Sequence, residues 1–138
     1  MENYLVKSEN KTKTPNKYAL FIGRWQPLHD GHKWLFNQKL ELGESVCIAI
    51  RDMPQDDKNW WSAEEIKQNI ENEYAEYISS GRVKVIVIPD IDSINFGRGV
   101  GYDIVEHIPP QDINDISATK IRESLLEKKD IKNTLYGR

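Results

Sequence analysis

A chain of 138 residues, with 38% hydrophobic and 30% charged side chains, has the length of one domain with a real core and an ordinary globular composition. Its net charge of −3 argues against a basic nucleic-acid footprint, so no nucleic-acid partner is expected. A single cysteine, Cys47, excludes an intramolecular disulfide and suits a reducing compartment, and no apolar run approaches the roughly 18 residues of a membrane span.

Residues 1–16 mix Lys, Glu, Asn and Thr and lack the apolar stretch of a secretory signal. They are read as a flexible arm before a domain over residues 17–138, and a cytoplasmic location is expected. Tyr18-Ala19-Leu20-Phe21-Ile22 is a short apolar run ending at Gly23 and predicts a buried strand. A loop punctuated by Gly23, Pro27 and Gly31 follows. The spacing of Leu35, Phe36 and Leu40 predicts a helix from about His32 to Leu42, stopped by Gly43. Ser45-Val46-Cys47-Ile48-Ala49-Ile50 predicts a second strand.

Beyond an Asp-rich loop to Trp61, Ser62 and Glu65 form a capping box for a helix whose apolar positions Ile66, Ile70, Tyr74 and Ile78 recur every four residues up to Gly81. Val83-Lys84-Val85-Ile86-Val87-Ile88 predicts a third strand, closed by Pro89. The segment Gly97-Arg98-Gly99-Val100-Gly101 then leads to a weaker strand candidate over residues 102–108. Pro109-Pro110 breaks the chain, and Ser117 opens a last helix through about Lys129.

Alternation of near-continuous Val/Ile strands with helices predicts an α/β, Rossmann-like three-layer domain with a mostly parallel sheet covered on both faces. Right-handed crossovers place every strand's C-terminal end on one edge, and ligands of such sheets bind there.

One motif falls at that edge, and a second joins it if a fourth strand precedes Ser117. In Gly23-Arg24-Trp25-Gln26-Pro27-Leu28-His29-Asp30-Gly31-His32 a strand delivers a loop to a helix start, where backbone N–H groups and the helix dipole favour an anion. Gly31 lets backbone approach an oxygen closely. His29 and His32 straddle the first turn and can both donate to that anion, which suits chemistry that builds charge on phosphorus. The bland alternative is a pair of surface histidines at a helix cap; a metal pair lacks a third ligand nearby. In Ile116-Ser117-Ala118-Thr119-Lys120-Ile121-Arg122, Ser117 is a natural N-cap, Thr119 sits in the first turn, and Arg122 lies three residues on, able to fork a phosphate. Standing alone, this second motif reads most simply as a helix cap.

Together the motifs, about 85 residues apart, resemble the His-x-Gly-His and Ile-Ser-x-Thr-x-x-Arg signatures of the nucleotidyltransferase superfamily of adenylyl- and cytidylyltransferases. The resemblance implies Mg²⁺-assisted in-line attack by a small phosphorylated acceptor on the α-phosphorus of a nucleoside triphosphate, releasing pyrophosphate. By position, it implies that His29 and His32 stabilise the transition state and that backbone around Gly23, Arg24 and Trp25 meets the triphosphate. It also implies that Ser117, Thr119 and Arg122 hold the β- and γ-phosphates. No protein side chain is implied as a metal ligand, and dimers or hexamers are.

The opening Gly-Arg-Trp-Gln-Pro is similar to that of archaeal-type nicotinamide mononucleotide adenylyltransferases, as is Asn59-Trp60-Trp61-Ser62-Ala63-Glu64-Glu65. The chain departs from that branch at Ile66, where Arg is expected, and by having no Trp after Asp90–Asn95. ATP is favoured and CTP stays open, which leaves a cytidylyltransferase making a CDP-linked metabolite as an alternative. A catalytically silent nucleotide-binding module is a rival of another class. The ATP-binding core of a larger ligase is a third reading, disfavoured by a short chain with no acceptor-binding domain.

Lesser candidates complete the set. Arg51, Lys58 and Arg98 are candidate contacts for the acceptor phosphate. Trp61, with Trp60, either covers an acceptor ring or staples the following helix. The glycine segment 97–101 either wraps a phosphate or links. Asp52, Asp56 and Asp57 read as solvated loop, Cys47 as buried strand and His107 as surface.

Overall fold

The computed structural model describes residues 17–98 and 101–127. The proposed N-terminal arm, Gly99 and Val100 of the glycine segment and the expected helix end near Lys129 lie outside them.

The chain is an α/β, Rossmann-like domain built on a three-stranded parallel sheet in the order β1-β2-β3. Strand β1 spans Tyr18–Gly23, β2 Ser45–Asp52 and β3 Val83–Pro89. Tyr18 sits opposite Ser45 and Gly23 opposite Ile50, while Val46 faces Val83 and Asp52 faces Pro89. All three strands therefore end at the same edge, as the alternating apolar runs require.

Helix α1, Asp30–Leu40, and helix α2, Ala63–Glu73, provide the crossovers. One face of β2, formed by Val46, Ile48 and Ile50, is sealed by Phe36 and Leu40 of α1 and by Ile66 and Ile70 of α2. Both helices thus lie over the same face, as two right-handed crossovers advancing in one direction dictate. The opposite face is more open among the described residues: Leu20 is 58% and Ile86 39% exposed, where cover on both faces was expected. Cys47, on this second face, is half-buried.

Several boundaries differ from the sequence reading. Helix α1 begins two residues before His32, because His29 itself serves as its N-cap. Its end follows expectation, with Gly43 at φ +81°, a backbone state that a side chain would resist. The predicted Ser62–Glu65 capping box is present, each side chain pairing with the other's backbone N–H. The helix through Ile78 is broken at Tyr74 (φ −110°, ψ 26°), so that Ala75–Ser79 forms a separate short helix, α3. Residues 102–108, the weak strand candidate, form no strand; Ile104 and Ile108 are 77% and 79% exposed. With no partner strand to satisfy its backbone, an apolar β-branched run does not become a strand. A short helix α4, Gln111–Asn114, follows Pro110, and α5 spans Ala118–Glu127.

Candidate active site

The loops leaving β1, β2 and β3 meet at the C-terminal edge of the sheet, together with the start of α5. The loop from β1 to α1 carries the densest interactions. Trp25 adopts φ +54°, a left-handed conformation costly for a bulky residue. That turn sends its indole back over Gly23. A Cβ on Gly23 would lie 2.8–3.0 Å from three indole carbons, so glycine there makes room for the ring. The indole N–H donates to the Ala49 carbonyl at 3.1 Å, and the ring meets His32 edge-on at 4.8 Å and Phe36 at 5.2 Å. Trp25 is buried and packs on the sheet, forming a wall beneath His32.

His29 and His32 stack at 3.6 Å with 18° between their planes. His29 Nδ1 accepts the backbone N–H of Gly31 at 3.0 Å and of His32 at 3.4 Å, while His32 Nδ1 accepts the N–H of His29 at 3.2 Å. This is a reciprocal helix cap in which two imidazoles take the places of the usual hydroxyl and carboxylate. Gly31 is central to it. A Cβ there would lie 2.8 Å from His29 Cε1 and 3.0 Å from Nδ1, so the glycine makes space for the capping ring itself.

The cap fixes the chemistry of both rings. A ring nitrogen that accepts carries no proton, so each neutral imidazole presents N–H at Nε2. Neither Nε2 has a partner among the described residues. Burial pushes His32 down to about 3, with the neighbouring His29 adding to the effect. Burial also lowers His29, against the opposing charge of Asp30. At neutral pH the pair therefore offers two uncharged donors.

Arg122 brings in the second motif. It is the buried residue of α5, only 6% exposed, and its Nη1 donates to the Gln26 carbonyl at 2.6 Å across 96 residues of sequence. Nη2 lies 3.5 Å from Thr119 Oγ1. Ser117 caps the helix as expected, accepting from the Lys120 N–H at 3.1 Å. Arg122 forms no ion pair among the described residues. Burial lowers its pKa and the like charge of Arg24 adds to this, with the carboxylates of Asp56 and Glu123 opposing. A buried guanidinium with a second arginine near it and no carboxylate in direct contact is a place where an anion would be welcome.

Two residues given no role by the sequence reading organise the loop after β2. Gln26 is buried, and its side-chain amide both donates to the Trp61 carbonyl at 2.8 Å and accepts the Trp61 N–H at 3.1 Å. Asp56 Oδ1 accepts from the backbone of Lys58 and from the backbone and side chain of Asn59, at 2.9–3.0 Å. Those hydrogen bonds, led by the Lys58 N–H, hold its carboxyl below the usual range, helped by Arg24. The Gln26–Trp61 pairing spans 35 residues and leaves no periodic trace, whereas Asp56 pairs locally, and Gln26 stood out only as part of the Gly-Arg-Trp-Gln-Pro opening.

The acceptor candidates separate. Trp61 is 1% exposed and belongs to the core, so its ring does not reach an acceptor. Trp60 is half-buried, with its indole N–H on the Asp57 carbonyl at 2.9 Å. Arg51, at the end of β2, pairs with Asp90 beyond β3 at 2.6 Å. Lys58 and Arg98 are exposed, and His107 is half-buried against the Phe21 ring at 6.1 Å.

Among the described residues no three His, Cys, Asp or Glu side chains are grouped to hold a metal ion, and no helix is long and apolar enough to cross a membrane. Comparison with protein-family models, with curated proteins and with solved structures finds no match.

Proposed function

We propose that the chain is a nucleotidyltransferase that moves an adenylyl or cytidylyl group from a nucleoside triphosphate to a small phosphorylated acceptor, releasing pyrophosphate. The observation that carries this reading is the meeting of the two signature motifs. The loop holding the neutral His29–His32 pair accepts, through the Gln26 carbonyl, a hydrogen bond from the buried Arg122. Neutral Nε2–H donors suit an α-phosphate whose negative charge grows in the transition state, because they need no proton transfer to act. Arg122 and Arg24 suit the β- and γ-phosphates that leave as pyrophosphate.

In this reading an acceptor phosphate oxygen attacks the α-phosphorus in line with the departing pyrophosphate oxygen. One P–O bond forms as the other breaks, and no side chain is covalently modified. Magnesium, which the family resemblance implies, would be carried by phosphate oxygens and water. It would supply charge neutralisation on the triphosphate. ATP is favoured as donor over CTP on the likeness of the loop to adenylyltransferases.

Pyrophosphate release from a panel of nucleoside triphosphates, each paired with phosphorylated acceptors, tests the reading. Turnover with at least one pair is expected. Tight triphosphate binding with no turnover for any pair would favour the silent nucleotide-binding module.

A further inference from the structure

Three segments must hold register for such a site to work: the histidine loop after β1, the loop entering α2, and the N-terminal half of α5. One residue touches all three. The side-chain amide of Gln26 spans the backbone of Trp61, donating from Nε2 at 2.8 Å and accepting at Oε1 at 3.1 Å. Its main-chain carbonyl accepts from Arg122 Nη1 at 2.6 Å. Its neighbour Trp25 lies edge-on to His32 and is pinned to β2 through Ala49.

The chemistry selects glutamine. A primary amide carries a donor and an acceptor in one plane and so matches the N–H and C=O of a single residue. A carboxylate at this position could accept the Trp61 N–H but would oppose the Trp61 carbonyl. A thioether of similar length could make neither hydrogen bond to the Trp61 backbone, so the clamp would be lost. Asparagine keeps the amide but is one methylene shorter. Because Gln26 is buried, no water replaces what is lost.

We propose that Gln26 is a positioning residue for nucleotidyl transfer, fixing the Arg122 guanidinium relative to the His29–His32 pair by clamping the histidine loop to the backbone of Trp61. The inference rests on the reading of the site given above. Gln26 touches no substrate; it acts through Arg122, whose hydrogen bond to the Gln26 carbonyl is sound only while that carbonyl stays in place. Its predicted signature is a loss of anion affinity that depends on Arg122.

The test is calorimetric titration of the full chain with inorganic pyrophosphate at low temperature, alongside thermal unfolding. Gln26→Met is compared with wild type, and Gln26→Asn serves as the milder variant should the first not fold. Both substitutions are repeated in an Arg122→Lys background, which keeps a positive charge without the guanidinium fork. The expected result is at least about tenfold weaker pyrophosphate binding for the Gln26 variant, shrinking to about twofold or less when Arg122 is already Lys. A lowered unfolding midpoint with unchanged pyrophosphate affinity would mean Gln26 is only structural and would overturn the proposal. So would an equal loss in both backgrounds. If wild type itself binds no pyrophosphate, the site reading falls and the positioning role falls with it, an outcome distinct from a wild type that binds and a Gln26 variant that binds equally well.

Discussion

His29 and His32 cap their helix reciprocally, each imidazole accepting the other's backbone N–H through Nδ1 while the rings stack 3.6 Å apart. The same contacts that start α1 thereby dictate the tautomer of both rings. Local folding and the proposed chemistry are one arrangement, and four experiments probe different parts of it.

Acid should destabilise the protein through this pair. Below pH 6.5 the unfolded chain takes up a proton at His32, whereas the folded chain resists until about pH 3, because burial disfavours the imidazolium. The contribution is absent above the unfolded pKa, and folded stability falls as pH drops through this window. The slope approaches about 1.4 kcal/mol per pH unit for one proton. His29 acts in the same direction. Urea midpoints measured from pH 7.5 to 4 should fall more steeply for wild type than for His32→Ala. Parallel curves would contradict the buried neutral state.

Gly31→Ala should loosen the cap. The new Cβ would meet His29 at 2.8–3.0 Å, and the ring must swing away from the N–H groups it accepts. Loss of an N-cap costs about 0.5–2 kcal/mol, readable as a lower thermal midpoint. The substitution should also reduce any turnover, because the ring leaves its place. Gly23→Ala presses instead on the buried Trp25 indole and should cost about 1–3 kcal/mol. Unchanged midpoints in both variants would show that the loop is not packed as described.

Arg122 should reveal itself through ligand-dependent stability. A ligand present at about 100 times its Kd stabilises the state that binds it by about 2.7 kcal/mol. Pyrophosphate or a nucleoside triphosphate should therefore raise the unfolding midpoint of wild type by several degrees. Arg122→Met removes the guanidinium but keeps much of its volume, and should abolish most of that ligand-induced rise. Equal ligand-induced shifts in wild type and variant would remove Arg122 from the anion site.

Much of this was legible in the sequence. Alternating Val/Ile runs and helical spacing gave the parallel sheet and its crossovers, and Ser62 with Glu65 announced the start of α2. The spacing of Ile66, Ile70, Tyr74 and Ile78 suggested one helix, yet the backbone turns at Tyr74, a change invisible to periodicity. His29 was hidden as an N-cap because imidazole is not among the usual capping groups. Gly31 was read as making space for a ligand oxygen, and its Cβ direction shows that it makes space for His29. From its loop position alone Trp61 was either an acceptor cover or a staple on the following helix, and its burial was decided by distant residues. The role of Gln26 depends on partners 35 and 96 residues away, which no local pattern encodes.

The central claim is that two neutral imidazoles stabilise charge on the α-phosphate rather than bind the ground state. It is tested most directly by His32→Ala, with kcat for pyrophosphate release and Kd for the nucleoside triphosphate measured on the same preparation. The account predicts that kcat falls at least about a hundredfold while Kd changes little. Near wild-type turnover in the folded variant would contradict it.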